Sequence, residues 1–130
     1  GIVMTKQIIA TEKAPAALGP YSQGVMASGE MIFVSGQIPI DPATGALVEG
    51  DAAVQATRCM ENIQAILAEA GVGMENIVKT TIYLKDMNNF GAVNEAYGKY
   101  FEKDAPARGC VEVARLPKDV QVEIEAIAIR

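Results

Sequence analysis

The spacing of apolar residues along this chain switches back and forth between strand-like and helix-like, and that succession constrains the fold more than any other feature. Val25 to Ala27 and Met31 to Val34 are short strand-like runs. Ser28-Gly29-Glu30 lies between them, and its glycine is free to take positive φ, which predicts a tight hairpin. Pro39 to Gly50 is rich in turn residues and reads as a surface loop. Asp51 is placed to cap a helix whose apolar positions Ala56, Met60, Ile63, Ile66, Leu67 and Ala70 recur at helical spacing, with Gly71 to end it. Ile77 to Leu84, rich in β-branched residues, predicts a strand. A second helix is predicted from about Asn89 to Phe101, with Phe90, Val93, Tyr97, Tyr100 and Phe101 as its apolar stripe and Asn94 near that stripe, four residues after Phe90. Two more strands follow, Arg108 to Val113 and Val120 to Ile129, joined by Leu116-Pro117-Lys118-Asp119.

The order hairpin, helix, strand, helix, strand, strand implies an α+β fold with one mixed sheet and both helices on a single face. The other face would stay bare, and Val111, Val113, Ile127 and Ile129 placed there would invite further copies of the chain, so a homo-oligomer is expected. With 130 residues and no internal repeat or linker, residues 1–130 read as a single domain. Gly1, Ile2 and Val3 read as a remnant ahead of a natural start at Met4 and are left out of the fold argument.

Composition narrows the chemistry. No apolar run reaches the roughly 18 residues of a membrane span, and Lys6, Gln7, Glu12 and Lys13 break any signal-peptide pattern, so a cytoplasmic address without membrane contact is expected. The chain has no histidine, which removes histidine triads, histidine metal sites and the commonest general base. A formal charge of −5 makes nucleic acid an unlikely partner. Cys59 and Cys110 show no metal-ligand spacing and should be free thiols in a reducing compartment.

Alternation along the fourth strand-like run puts Arg108, Cys110 and Glu112 on one face and Val111 and Val113 on the other, while Glu123 and Glu125 share a face of the last strand. The Arg108 guanidinium has the planar fork that grips a carboxylate through two charge-assisted hydrogen bonds. A plain surface ion pair with an acidic neighbour would use the same residue, and periodicity alone leaves both open. Cys110 has no obvious base beside it in sequence, so a packing role outweighs a nucleophilic one.

Pro106-Ala107-Arg108-x-Cys110-Val111-Glu112-Val113, Leu116-Pro117 and Val122-Glu123-Ile124 resemble the C-terminal signature of the Rid (YjgF-type) family. Gly19-Pro20-Tyr21-Ser22-Gln23, Ser35-Gly36-Gln37 and Val93-Asn94 resemble further blocks of that family in the right order, so the similarity runs from about Ile8 to Ile129. The resemblance implies a chorismate-mutase-like fold assembled as a homotrimer, with clefts between adjacent subunits. It also implies hydrolysis of 2-iminopropanoate and 2-iminobutanoate, products of pyridoxal-phosphate enzymes, to 2-keto acids and ammonia, with no cofactor or metal in the protein itself.

Carried onto these residues, the resemblance makes Arg108 the clamp for the substrate carboxylate and selects Glu123, over Glu112 and Glu125, to hold or activate water. Tyr21 would bond the substrate or close the cleft, or else anchor its own loop. Backbone groups around Gly36 and Cys110 would bond the ligand, and Ser35 and Asn94 would shape the cleft or satisfy buried backbone groups. Glu112 and Glu125 are otherwise expected to pair with Arg115 or Lys118. Gly109 departs from the pattern, because relatives usually carry a side chain there, and it should hold Arg108 less firmly. Two rival functions are a keto-acid binding module without turnover and, more weakly, an RNA-cleaving translation inhibitor.

Overall fold

The computed structural model describes residues 4–130, so the reading of Gly1 to Val3 lies outside the described residues. Eight strands and two long helices form the fold: β1 (Thr5–Ile9), β2 (Gly24–Ser28), β3 (Met31–Gln37), β4 (Ile40–Asp41), β5 (Ala46–Leu47), α1 (Ala52–Glu69), β6 (Ile77–Leu84), α2 (Phe90–Gly98), β7 (Ala107–Glu112) and β8 (Val122–Ile129). The main sheet has the order β3-β8-β6-β7. β8 runs antiparallel to both its neighbours, and β6 runs parallel to β7. Each helix therefore serves as a crossover between strands that run the same way, which a connection through a helix permits.

Both helices pack on one face of this sheet. Their buried residues, among them Cys59, Met60, Ile63, Leu67, Val93 and Tyr97, meet Ile82, Leu84, Val122, Ile124 and Ala126 in a single core. Asp51 caps α1 by accepting the Val54 amide at 3.0 Å, and Gly71 follows the helix at φ +79°, as the sequence implies. No helix among the described residues is long and apolar enough to cross a membrane.

Three expectations need correction. Strands β2 and β3 flank a turn but do not form a hairpin: β2 pairs with β1 in a separate two-stranded sheet, and β3 pairs with β8. The reason lies in Gly29 at φ +140°, where the chain swings away and Glu30 exchanges both backbone hydrogen bonds with Arg130 at 2.8 Å. The loop over Pro39 to Gly50 contains the small β4–β5 hairpin, tied to α1 by the Asn62 amide, which donates to the carbonyls of Ile38 and Ile40 at 3.4 and 3.0 Å. Ile129 is buried rather than bare, because the Gly29 turn closes over it. Elsewhere the open face does expose apolar surface: Phe33 is 69% accessible, Met31 on the same strand and Val111 on the opposite edge are also exposed, and Val113 and Ile127 are half-buried.

A methyl group at Gly29 would lie 2.4 Å from Ile129 Cγ2 and 2.7 Å from the Arg130 carbonyl oxygen, at a φ that residues with a Cβ rarely adopt. Gly29→Ala is expected to lower unfolding stability by about 2–3 kcal/mol. A urea titration with unchanged midpoint would show that this turn does not set the register of β3 on β8.

Candidate active site

Helical spacing builds the first half of the site. Phe90, Asn94 and Tyr97 lie at i, i+4 and i+7 on α2 and so project to one side of it. That side faces edge strand β7, where Arg108 stands in register with Thr80 of β6. The Arg108 guanidinium lies 5.6 Å from the Phe90 ring centre, 5.3 Å from that of Tyr97 and 5.1 Å from that of Tyr21, which arrives from the segment between β1 and β2. Its Nη1 donates to Asn94 Oδ1 at 2.6 Å.

Three aromatic faces stabilise a cation without neutralising it, at about 0.5–1 kcal/mol each and more where water is excluded. None of the ion pairs among the described residues includes Arg108. The alternative in which it pairs with an acidic neighbour is thus not what the fold contains. A half-buried guanidinium without a carboxylate has the chemistry to accept an anion.

Tyr97 is fully buried, and its hydroxyl shares a 2.7 Å hydrogen bond with that of Thr80. Burial pushes its phenol up to about 12, against the weaker opposing pull of Thr80 and Arg108, so it remains a neutral wall of the cage. Cys110 shares the Arg108 face two residues along and packs against the core. Burial raises its thiol above the ordinary range more strongly than Arg108 lowers it. A thiol held protonated is a poor nucleophile, which favours the packing role. Cys59 is wholly buried and pushed up to about 12, first by burial and then by the negative Glu123.

The second half lies elsewhere. The register of β3 on β8 runs Val34 to Ala126 and then Gln37 to Ile124, so Ser35 and Gly36 together oppose Glu125 in a β-bulge. A Cβ built at Gly36 would fall 2.0 Å from Glu123 Oε2, so the bare backbone of the bulge is what lets that carboxylate lie against β3. Ser35 beside it is exposed. Glu125 accepts the Tyr83 hydroxyl at 2.7 Å, and Glu112 accepts the Met87 amide at 2.9 Å, so these carboxylates serve partners other than the expected Arg115 and Lys118. Of the three competing carboxylates, only Glu123 is held by none of the hydrogen bonds found among the described residues.

Structure therefore brings together Arg108, Asn94, Tyr21 and Cys110 on one side, and Ser35, Gly36 and Glu123 on the other. It does not bring the two groups to each other. Arg108 is aligned with Thr80 on the helix-covered face, whereas Glu123 is aligned with Tyr83 on the open face. Arg108 lies on edge strand β7 and Glu123 on inner strand β8, two strands over and about 10 Å away at ordinary strand spacing, while Ser35 and Gly36 lie on the opposite edge strand β3.

The sequence presents Phe90 and Tyr97 as members of the apolar stripe of the second helix, with Asn94 near it. Their spacing from Asn94 was the signal that they share a face with a polar group. Gly109 has open space around its missing side chain, so nothing nearby requires glycine there. Among the described residues no group of three or more Cys, Asp or Glu side chains is gathered to hold a metal ion.

A family model described as Endoribonuclease L-PSP matches residues 11–130. The chain is 58% identical over 125 residues to the 2-iminobutanoate/2-iminopropanoate deaminase of Salmonella typhimurium, covering 94% of this chain and 96% of the relative. Among solved structures it resembles the YjgF gene product of E. coli, with a TM-score of 0.74, 51% identity and 95% and 98% of the two chains covered. It also resembles E. coli TdcF with bound serine, with a TM-score of 0.74, 46% identity and the same coverage.

If the bulge exists to admit the Glu123 carboxylate, Gly36→Ala should displace it while leaving the core intact. Catalysis is expected to fall by at least about tenfold with little change in melting temperature. Full activity in a folded Gly36→Ala protein would remove Glu123 from the site.

Proposed function

We propose, from the premise that this chain belongs to the endoribonuclease L-PSP family, that it hydrolyses 2-iminopropanoate and 2-iminobutanoate to the corresponding 2-keto acids and ammonia. The observation that carries this reading is the Arg108 guanidinium, held by three rings and Asn94 and, among the described residues, by no carboxylate. The deaminase name of a 58% identical relative supports the reaction, and the serine bound to TdcF supports an amino-acid-like carboxylate as ligand.

In this reading the substrate carboxylate takes the open edge of the Arg108 fork, which fixes the imine carbon. Water adds to that carbon as its proton passes to the Glu123 carboxylate. Glu123 then returns that proton to nitrogen, and as the carbon–nitrogen bond breaks it takes the hydroxyl proton of the adduct and passes it to the departing ammonia, leaving the keto acid and ammonium. The protonated imine is already electrophilic, so positioning and one proton acceptor suffice and histidine is not needed. Tyr21 walls the site, and Ser35, Gly36, Asn94 and Cys110 shape it.

The two halves can work together only if the β7 edge of one copy meets the β3 edge of another. A head-to-tail contact of that kind closes into a ring, and we take the ring to be the homotrimer that the family implies, with the open sheet face and Phe33 turned inward. The RNA cleavage in the family's name finds less support in a chain with a formal charge of −5 and no histidine.

The test uses a dehydratase to generate the imine in place and follows keto-acid appearance. Arg108→Ala should lose at least about a hundredfold in kcat/KM while remaining folded. Arg108→Lys should recover little of that loss, because it restores charge without the fork. Ligand binding with no acceleration over buffer would point instead to a binding module. Refolding an equal mixture of Arg108→Ala and Glu123→Gln chains should regain activity at about a quarter of the interfaces, since each such site draws its two halves from different copies. No recovery in mixed oligomers would place both residues in one chain's site.

A further inference from the structure

The segment between β1 and β2, residues 10–23, delivers Tyr21 to the cage yet has no regular structure, and residues 10–19 are all exposed. Such a segment is ordered only if something supplies hydrogen bonds to its backbone. The Gln23 side chain supplies most of them, beside a bond from the Lys13 amide to Thr11 Oγ1 at 3.1 Å. Gln23 Oε1 accepts the Thr11 amide at 2.6 Å, and Gln23 Nε2 faces the carbonyls of Thr11, Ala14 and Pro15 at 3.0, 3.2 and 2.6 Å. Two amide hydrogens are shared among three carbonyls, so the whole donor capacity of this group is spent on residues 11–15.

The clasp lies next to a second anchor. Ser22 donates its hydroxyl to the Ala105 carbonyl and its amide to that of Pro106 at 3.1 Å, just ahead of Arg108. Pro20 lies against Gly98 at the end of α2, where an added Cβ would come within 3.3 Å. Tyr21 sits between these fixed points, but its hydroxyl is weakly held: among the described residues its one hydrogen bond is from the Leu18 amide at 3.5 Å. Leu18, in turn, is 91% exposed. The position of the Tyr21 ring over Arg108 thus depends on the arch from Thr11 to Leu18 keeping its shape.

We infer that Gln23 is a positioning residue for the proposed reaction: its amide clasps residues 11–15 into a fixed arch and so holds the Tyr21 ring on the Arg108 guanidinium. None of the hydrogen bonds of Gln23 among the described residues reaches Arg108, so it acts through Tyr21. The inference rests on the deaminase reading for its kinetic consequence, and on geometry alone for its structural one.

Gln23→Met keeps the length of the side chain and removes all of its hydrogen bonds. In the oligomer it is expected to lower kcat/KM about tenfold, mainly through KM. In a Tyr21→Ala background the same change should cost less than about twofold, because the ring it positions is gone. Equal losses in both backgrounds would mean a general structural role and would overturn the proposal, as would an unaltered kcat/KM in the single variant. Phenylglyoxal modification of Arg108, read by mass spectrometry, needs no substrate and should be about tenfold faster in Gln23→Met. If the unsubstituted protein accelerates no imine hydrolysis, the functional reading fails by itself, and an unchanged modification rate then overturns the clasp as well. Gln23→Glu, which keeps the acceptor for Thr11 but loses the donors, is expected to behave alike and serves where the methionine variant does not fold.

Discussion

The positive charge of Arg108, half-buried and without a negative partner among the described residues, organises this molecule. Burial of a guanidinium is costly unless its charge or its hydrogen-bonding edge is met. The fold meets it with the faces of Tyr21, Phe90 and Tyr97 and with one amide oxygen from Asn94. This arrangement lowers the cost of burial while leaving the charge available. A carboxylate in place of Asn94 would have closed the site, whereas a neutral amide aligns the arginine and leaves room for an acid from outside.

The pleat of the sheet explains why that charge cannot act on its own. Neighbours in register share a face, so alignment with Thr80 sends Arg108 toward the helices and alignment with Tyr83 sends Glu123 the other way. The two also belong to halves of the site built on opposite edges of the sheet. In the proposed reading, one chain holds each half and completes neither. The incomplete site and the uncovered Phe33 face call for the same remedy, a second copy of the chain, and it is their agreement that gives the trimeric reading its force.

Much of the fold was legible in the sequence because it follows from local chemistry. The cap at Asp51, the stop at Gly71, the β-branched run over Ile77 to Leu84 and the alternation around Arg108 each express a preference of a few neighbouring residues. Strand partnership was not legible in this way. Val25 to Ala27 and Met31 to Val34 look like a hairpin because a glycine lies between them, yet their partners, β1 and β8, come from opposite ends of the chain. Part of the site was hidden for the same reason: Phe90 and Tyr97 read as core from an apolar stripe, and only the packing of α2 against β7 makes them walls around a cation.

The sequence by itself determined which elements form, the absence of histidine chemistry, and the set of residues with the right functional groups, since these depend on composition and short-range spacing. Tertiary structure alone decided that Arg108 has no acidic partner, that Glu112 and Glu125 are engaged by Met87 and Tyr83 while Glu123 lies free against Gly36, and that the two halves of the site face apart. Those are matters of register between strands distant in sequence. A shift of one residue turns every side chain to the opposite face, and no local preference records it.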